Sequence, residues 1–164
     1  MILLGIGSNL AAPGYQSPQD TATAAVAALP TIGVAVVACS PWYLSEPVPM
    51  SDQPWFVNGV ILLTTELPAP ELLARLFALE ARFGRQRGVR DAARTLDLDL
   101  LDYDGRPCST PALELPHPRL HERCFVLAPL RDVAPEWRHP RLGLTAAELL
   151  ARLPAGQPIR RLPT

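Results

Sequence analysis

The hydrophobic positions of this chain follow the periods of strands and helices in turn. A short apolar run from Ile2 to Ile6 ends at a Gly-Ser-Asn turn, a pattern typical of a buried strand. An alanine-rich helix is predicted from about Ser17 to Leu29, and a β-rich segment from Ile32 to Leu44. After a proline-rich loop, the residues from Trp55 to Thr65 predict a further strand.

The segment from Glu71 to Phe83 has the pattern of an amphipathic helix. Leucines and a final phenylalanine recur every three or four residues, Pro70 precedes the segment and Gly84 follows it. The next predicted strand carries Asp97 and Asp99.

These elements occur in the order β-α-β-β-α-β, which is that of a ferredoxin-like fold. The expected fold class is therefore α+β, with a mainly antiparallel sheet and helices packed on both of its faces. From Pro107 onward we expect short helical pieces and an amphipathic turn near Thr145 to Leu153. With 164 residues, the chain is expected to form one domain, residues 1–164.

The composition limits the possible kinds of function. Hydrophobic residues make up 48% of the chain and charged residues 19%, as in a soluble folded protein. The net charge of −1 argues against binding to nucleic acid. All 15 basic residues are arginine, so the chain lacks both the lysine of a P-loop and that of a Schiff-base enzyme.

Several features predict a cytoplasmic protein without a membrane segment. The stretch from Thr21 to Ser45 has no charge over 25 residues, but Pro30, Gly33 and Pro41 interrupt it, so no membrane span is expected. No basic region precedes the first apolar run, so no secretory signal is expected. The three cysteines lie far apart and predict buried free thiols in a reducing compartment.

The strand with the two aspartates is the strongest candidate for a site. Side chains alternate along a strand, so Asp97 and Asp99 point to one face while the intervening leucines point to the other. By the same reasoning Leu101 and Tyr103 continue the aspartate face. Two carboxylates together with substrate phosphates form a common Mg²⁺ site. Taken alone, the pair is more typical of the solvated face of a half-buried strand.

Arginines flank this pair in the sequence. Arg85, Arg87 and Arg90 follow the predicted helix, and Arg94 precedes the strand. A guanidinium suits phosphate oxygens because it offers a planar fork of donors. Each arginine alone would be an ordinary surface charge, but together with two metal-binding carboxylates they predict a polyphosphate site.

A polar residue also interrupts the apolar face of the strand from Trp55 to Thr65. Asn58 shares that face with Phe56, Val60 and Leu62, and a buried amide needs partners. One interpretation is a pocket for a flat heterocycle that pairs with the amide and stacks on Phe56. The alternative is a buried asparagine bonded to neighbouring backbone.

Short motifs occur in a fixed order almost from end to end of the chain. They are Gly7-Ser8-Asn9-Leu10, Ser45-Glu46-Pro47-Val48, Asp52-Gln53-Pro54, Phe56-Val57-Asn58, Glu80 with Gly84-Arg85-Gln86-Arg87, Arg94-Thr95-Leu96-Asp97-Leu98-Asp99, Leu115-Pro116-His117-Pro118-Arg119-Leu120, and Arg123 with Phe125-Val126-Leu127. In this order the motifs resemble one family of folate biosynthesis, 6-hydroxymethyl-7,8-dihydropterin pyrophosphokinase.

The resemblance implies transfer of pyrophosphate from ATP, the co-substrate, to the hydroxymethyl group of the dihydropterin, with release of AMP. It implies that Asp97 and Asp99 are the metal ligands for two Mg²⁺ per active site. Arg85 and Arg94 would be catalytic with them, by neutralising phosphate charge. The residues implied to bind ATP are Glu80, Arg85, Arg94, Leu100, His117 and Arg123. Those implied to bind the pterin are Ser45, Glu46, Val48, Phe56, Asn58 and Phe125.

The expected partners are these two small-molecule substrates, with no nucleic acid and no membrane, and the chain is expected to be a monomer. Two alternatives stay open. A palm-like two-metal nucleotidyltransferase would attack the α phosphorus instead. A catalytically silent module would bind nucleotide or pterin without turnover.

The loop 86–93 departs from the family pattern. Where the family usually carries Trp-Gly-Pro before the catalytic arginine, this chain has Asp91-Ala92-Ala93, and it is one residue shorter between Arg85 and Arg94. In the family that loop closes over both substrates. We therefore expect weaker sealing of the site against water, with the core chemistry intact.

Overall fold

The computed structural model describes residues 1–86, 88 and 92–163. Half of the loop 86–93 is therefore outside the described residues, including Arg87, Arg90 and Asp91. The phosphate-site prediction for the first two arginines and the expectation about loop closure both fall there.

The described residues form eight strands and four α-helices. The strands are β1 Ile2–Ser8, β2 Val34–Cys39, β3 Tyr43–Ser45, β4 Phe56–Thr65, β5 Asp97–Tyr103, β6 Cys108–Ser109, β7 Glu114–Leu115 and β8 Ile159–Arg161. The helices are α1 Pro18–Ala28, α2 Ala69–Arg82, α3 Cys124–Val133 and α4 Ala146–Arg152. Short 3₁₀ helices span Leu29–Ile32 and Leu120–Glu122.

Six of these strands form the main sheet, and every described pair in it is antiparallel. The order is β5-β1-β4-β3-β8, with β2 also paired to β4, while β6 and β7 form a separate hairpin. Helices α1 and α2 pack their leucines and alanines on one face, and α3 and α4 pack on the other. The predicted α+β class, the mainly antiparallel sheet and the helices on both faces are confirmed.

The first two helices begin at residues that favour a helix start, a capping serine for α1 and a proline in the first turn for α2. Ser17 precedes α1, and its hydroxyl accepts the Asp20 N–H at 3.1 Å. Helix α2 starts two residues before the predicted Glu71, because Pro70 occupies its first turn without needing an N–H partner. It ends before Gly84, whose φ of +81° is left-handed.

The predicted β-rich segment from Ile32 to Leu44 forms two strands, β2 and β3, with a break between them. Pro41 has no N–H for the ladder. The Ser40 side chain takes over at this point, since its hydroxyl accepts the Val60 N–H at 2.9 Å. The Cys39 thiol just before the break is exposed, so the prediction of buried thiols fails there, although all three cysteines are free.

A β-bulge in β5 changes which residues follow the aspartates on their face. The register with β1 shifts so that Leu3 pairs with Asp102 while Leu4 pairs with Leu100. Tyr103 consequently packs on the α1/α2 side, which corrects the prediction that it shares the aspartate face. Asp102 instead turns towards α3 and accepts the Trp137 Nε1–H at 2.8 Å.

Candidate active site

The floor of the candidate site is formed by β1 and β5. Their pairing places Gly7 opposite Asp97 and Gly5 opposite Asp99. A Cβ on Gly7 would lie 3.1 Å from the Asn58 Oδ1, closer than most Cβ contacts in proteins. Glycine therefore lets the carboxylates of β5 and the amide of β4 come close together across β1.

The Asp97 carboxylate is held by two arginines. Its Oδ1 accepts a hydrogen bond from Arg85 Nη1 and its Oδ2 accepts one from Arg94 Nη1, each at 2.9 Å. Arg85 Nη1 also donates to the Leu96 carbonyl at 3.0 Å and to Glu80 Oε2 at 3.2 Å. The site thus contains charge-assisted hydrogen bonds that fix both guanidiniums beside the carboxylate.

Glu80 supports this arrangement from α2. Its side chain is only 1% exposed, and its Oε2 also accepts the Leu98 N–H at 2.8 Å. One buried carboxylate therefore joins the end of α2, the Arg85 guanidinium and the outer edge of β5.

Asp99 carries an unusual charge balance. Burial raises the pKa of its carboxyl from an ordinary 3.8 to about 7, with the neighbouring charges of Asp97 and Glu80 adding to the effect. The guanidiniums of Arg123 and Arg94 oppose the rise. Two carboxylates are thus brought together where only one ionises easily, and a bound cation would remove that penalty.

His117 lies beside β5, where its backbone N–H donates to the Leu101 carbonyl at 2.9 Å, and Arg123 lies close enough to Asp99 for their charges to interact. Burial, with Arg123 as a second cause, lowers the pKa of His117 to about 4, so its imidazole is neutral at physiological pH. Its Nδ1 accepts the Arg119 N–H at 3.2 Å, which leaves Nε2 to carry the proton. The Arg123 guanidinium lies 5.5 Å from the centre of the Phe125 ring.

The opposite wall comes from β3 and β4. Their pairing places Ser45 opposite Phe56, and the Asn58 Nδ2 donates to the Ser45 hydroxyl at 2.5 Å and to the Phe56 carbonyl at 3.4 Å. Asn58 and Ser45 are 6% and 3% exposed. This amide is accordingly fixed by its neighbours beside the aromatic ring.

One cleft joins these two walls. The predicted site residues that line it are Arg94, Asp97, Asp99, Arg123, Ser45, Glu46, Val48, Phe56, Asn58 and Phe125. The cleft has room for a substrate that places a flat ring near Asn58 and a charged group near the aspartates.

Comparison with known proteins gives the family. The sequence matches 7,8-dihydro-6-hydroxymethylpterin-pyrophosphokinase (HPPK) over residues 3–135. The chain belongs to this family. It is 43% identical over 162 residues to the 2-amino-4-hydroxy-6-hydroxymethyldihydropteridine pyrophosphokinase of Pseudomonas aeruginosa, which covers 99% of this chain and 96% of that protein. The enzyme of the same description from Synechocystis is 38% identical over 152 residues, 92% of this chain and 75% of the relative.

A solved structure of Plasmodium falciparum HPPK-DHPS with pterin and p-hydrobenzoate has the same fold. It superposes with a TM-score of 0.62 at 11% identity, covering 92% of this chain and 44% of that one. At this identity the likeness concerns the fold alone. The activity is inferred from the relatives that are similar in sequence.

This HPPK transfers pyrophosphate from ATP to the hydroxymethyl group of 6-hydroxymethyl-7,8-dihydropterin in folate biosynthesis. The predicted family and reaction are thereby confirmed, and neither the nucleotidyltransferase nor the silent binding module is supported. Among the described helices, none combines the length and apolar character needed to cross a membrane.

Four predicted residues of the HPPK site lie outside the cleft lining. Arg85 is hydrogen-bonded to Asp97 at the cleft, and Glu80 is hydrogen-bonded to Arg85. His117 lies close enough to Arg123 for that charge to lower the pKa of its imidazole. The Leu100 side chain is 4% exposed and packs in the core on the other face of β5.

Sequence reasoning missed several residues that shape this site. Gly5, Gly7, Gln53 and Arg119 also line the cleft, and Asn9 lies beside it without a predicted role. The glycines at alternate positions of β1 were a usable signal, because such spacing on a buried strand marks a close approach to its partners. Asn9 belongs to the Gly7-Ser8-Asn9-Leu10 motif, but that motif assigned it no role in the site.

Proposed function

We propose that Asp97 and Asp99 bind two Mg²⁺ and that Arg85 and Arg94 neutralise the phosphates of ATP during pyrophosphoryl transfer. The observation that carries this proposal is the single cleft that joins the aspartate pair and Arg94 to the Asn58 wall. A pterin ring against that wall can direct its hydroxymethyl group towards a nucleotide at the aspartates.

The donor set suits Mg²⁺ that is shared with a substrate. In the described residues no group of three or more His, Cys, Asp or Glu side chains could hold a metal alone. Mg²⁺ commonly takes one or two carboxylates and completes its shell with water and phosphate oxygens, and here the raised pKa of Asp99 favours a cation nearby. When bound, the metal ions polarise the phosphate oxygens and offset their charge.

The arginines that contact Asp97 can also bind the phosphates of ATP. Both oxygens of the Asp97 carboxylate accept hydrogen bonds from guanidiniums. Phosphate oxygens are equally good acceptors for these groups. We propose that Arg85 and Arg94 move from the carboxylate to the phosphates, which frees Asp97 for a cation.

The other nucleotide-side residues have roles that follow from their charge and position. Arg123 adds a cation at the cleft, and neutral His117 can donate a hydrogen bond from Nε2. Glu80 holds Arg85 in place. Leu100 can contribute only its backbone, since its side chain is in the core.

The pterin-side residues provide an edge and two faces. The Asn58 amide and Ser45 are placed to pair with the heteroatoms of the ring, with Glu46 and Val48 closing the end of the cleft. Phe56 and Phe125 offer flat surfaces for stacking. The hydroxyl oxygen attacks the β phosphorus, the bond to the α-phosphate oxygen breaks with AMP as leaving group, and the hydroxyl proton goes to solvent.

We further propose that the chain acts as a single domain over residues 1–164, as a monomer and in the cytoplasm. The shared core supports the first statement, since one continuous sheet carries residues from β1 near the start to β8 near the end.

The metal assignment is tested by counting ions. Mn²⁺ bound per chain is measured by EPR in the presence of the dihydropterin and an ATP analogue with a methylene group between the α and β phosphates. We expect two ions for the wild type and at most one for Asp99→Asn. The exposed Asp20→Asn is the matched control and should keep two. Two ions on the Asp99 variant would exclude this residue as a ligand.

A further inference from the structure

Asn9 joins segments that carry the two sides of the site. It follows β1, is 1% exposed, and its Nδ2 donates to Gln53 Oε1 at 3.0 Å and to the Pro54 carbonyl at 3.1 Å. Its Oδ1 accepts the Arg94 backbone N–H at 2.7 Å. The side chain therefore spans from the loop before β4 to Arg94, three residues before β5. The hydrogen bonds to Gln53 and Pro54 are called the pterin arm below, and the hydrogen bond from Arg94 is called the nucleotide arm.

Backbone hydrogen bonds strengthen the nucleotide arm, between Asn9 and Arg94. The Arg94 carbonyl accepts the N–H groups of Asn9 and Leu10 at 3.1 and 3.2 Å. The peptide groups on both sides of the Arg94 Cα are thus fixed to the same turn. Because the Arg94 guanidinium contacts Asp97, the turn helps to set the position of that contact.

The pterin arm, from Asn9 to Gln53 and Pro54, leads to the wall formed by β3 and β4. Gln53 lines the cleft, and Pro54 lies two residues before Phe56, the first residue of β4. Phe56 and Asn58 line the same cleft. A shift of the loop before β4 would therefore move Asn9, and through Asn9 it would move Arg94.

Only an amide can make both arms. An asparagine side chain can be turned to exchange its oxygen and nitrogen, but the Arg94 N–H can only donate and the Pro54 carbonyl can only accept. The observed orientation is the one that satisfies both. An aspartate would keep the bond to Arg94 and lose the donors to Gln53 and Pro54.

We infer that Asn9 is a positioning residue that couples pterin binding to nucleotide binding by tying the loop before β4 to Arg94. The inference rests on the proposed function, in which Arg94 contacts phosphate and the β4 wall binds the pterin. Coupling of this kind is reciprocal, so each substrate should tighten the other by the same factor.

The test measures that factor in the full-length protein. Isothermal titration gives the Kd of the dihydropterin alone and with saturating Mg²⁺ and the α,β-methylene ATP analogue. We expect the analogue to tighten pterin binding in the wild type. Asn9→Asp, which breaks only the pterin arm, should reduce this factor by about fivefold or more, as expected for a lost buried hydrogen bond.

Two further variants separate coupling from simple loosening of the fold. Asn9→Ser is smaller and should also reduce the factor, and it serves if Asn9→Asp does not fold. Thr21→Val is the matched control, because it removes another buried hydrogen bond near the same turn, from the Ala12 N–H at 2.9 Å, without touching either arm. It should lower the melting temperature and leave the factor unchanged.

The outcomes distinguish this inference from the proposed function. A wild-type factor of one, or a factor retained in the Asn9 variants, overturns the coupling role and leaves the site assignment intact. A wild type that binds neither ligand overturns the proposed function itself.

Discussion

At the scale of single residues, the site is organised by shared hydrogen-bond partners. Asp97 accepts from two arginines, and one of them is fixed in turn by a buried glutamate, Glu80. Removing one member therefore changes the environment of the others, so effects of substitutions within this group will not add.

The carboxylates of Asp97 and Asp99 should both be essential for turnover, and that of Asp99 should be dispensable for folding. Changing Asp99 to asparagine keeps its shape and removes one of two like charges, so the metal-free protein should not lose stability. Asp97→Asn also weakens the hydrogen bonds from Arg85 and Arg94 and should lower stability. Turnover should fall by about a hundredfold or more because phosphate charge is no longer offset. Initial rates and thermal unfolding, with Asp20→Asn as control, check this. A variant that keeps most activity would exclude that aspartate as a metal ligand.

The pKa of Asp99 makes a second prediction, about stability and pH. Its pKa of about 7 in the fold is above the ordinary 3.8, so the fold favours the protonated form. The stability from this group is full below pH 4 and is lost as pH rises through 7. In metal-free protein, the free energy of unfolding of Asp99→Asn relative to that of the wild type should therefore increase by about 1 to 3 kcal/mol from pH 5 to pH 8. Urea unfolding at both values measures this difference. An equal difference at the two pH values would contradict the raised pKa.

At the scale of elements, the positions of irregularities decide what reaches the site. Alternation along β5 correctly placed Asp97 and Asp99 on one face, because that part of the strand is regular. It failed at Tyr103, because the bulge near Leu101 depends on pairing with β1 and leaves no mark in the alternation. The break between β2 and β3 was more readable, since Pro41 cannot donate to a ladder.

The loop 86–93 gives a prediction that belongs to this scale. Replacing Asp91-Ala92-Ala93 with Trp-Gly-Pro restores the family pattern and should seal the site better, because a large aromatic excludes water. Turnover or pterin affinity should then improve, as measured by steady-state kinetics. An Asp91→Ala variant controls for loss of the charge alone. The idea fails if neither quantity improves.

At the scale of the whole molecule, the C-terminal segment links the two walls of the pterin side. β8 pairs with β3 so that Ile159 lies opposite Ser45. Just before it, Gln157 Oε1 accepts the Cys124 N–H at 2.9 Å and Nε2 donates to the Glu122 carbonyl at 3.1 Å, at the start of α3. This segment lies beyond residues 3–135, over which the family matches.

Gln157→Leu should therefore weaken pterin binding several-fold with a smaller effect on ATP, because an unpaired Cys124 N–H loosens the start of α3 and Phe125. Titration with each substrate analogue measures the two affinities. Gln16→Leu, at an exposed position, is the control. Equal losses for both ligands would indicate a general loss of stability instead.

Much of the molecule was predictable from the sequence because it depends on local pattern. The sequence pattern shows the core-facing residues of β1, β4 and α2. It also shows the start and end of α2 and the aspartate pair. The link through Asn9 and the hydrogen bonds of Gln157 could not be predicted, because each joins residues 33 or more positions apart through single side chains. Such contacts depend on the final packing of loops.

The central claim, that this cleft transfers pyrophosphate through Asp97 and Asp99, is tested most directly by product analysis. The protein is incubated with ATP, Mg²⁺ and 6-hydroxymethyl-7,8-dihydropterin, and nucleotides and pterins are separated and quantified. We expect AMP and the pterin diphosphate in equal amounts from the wild type, and little of either from Asp97→Asn or Asp99→Asn. ADP or pyrophosphate as the sole nucleotide-derived product, or full activity in those variants, would contradict it.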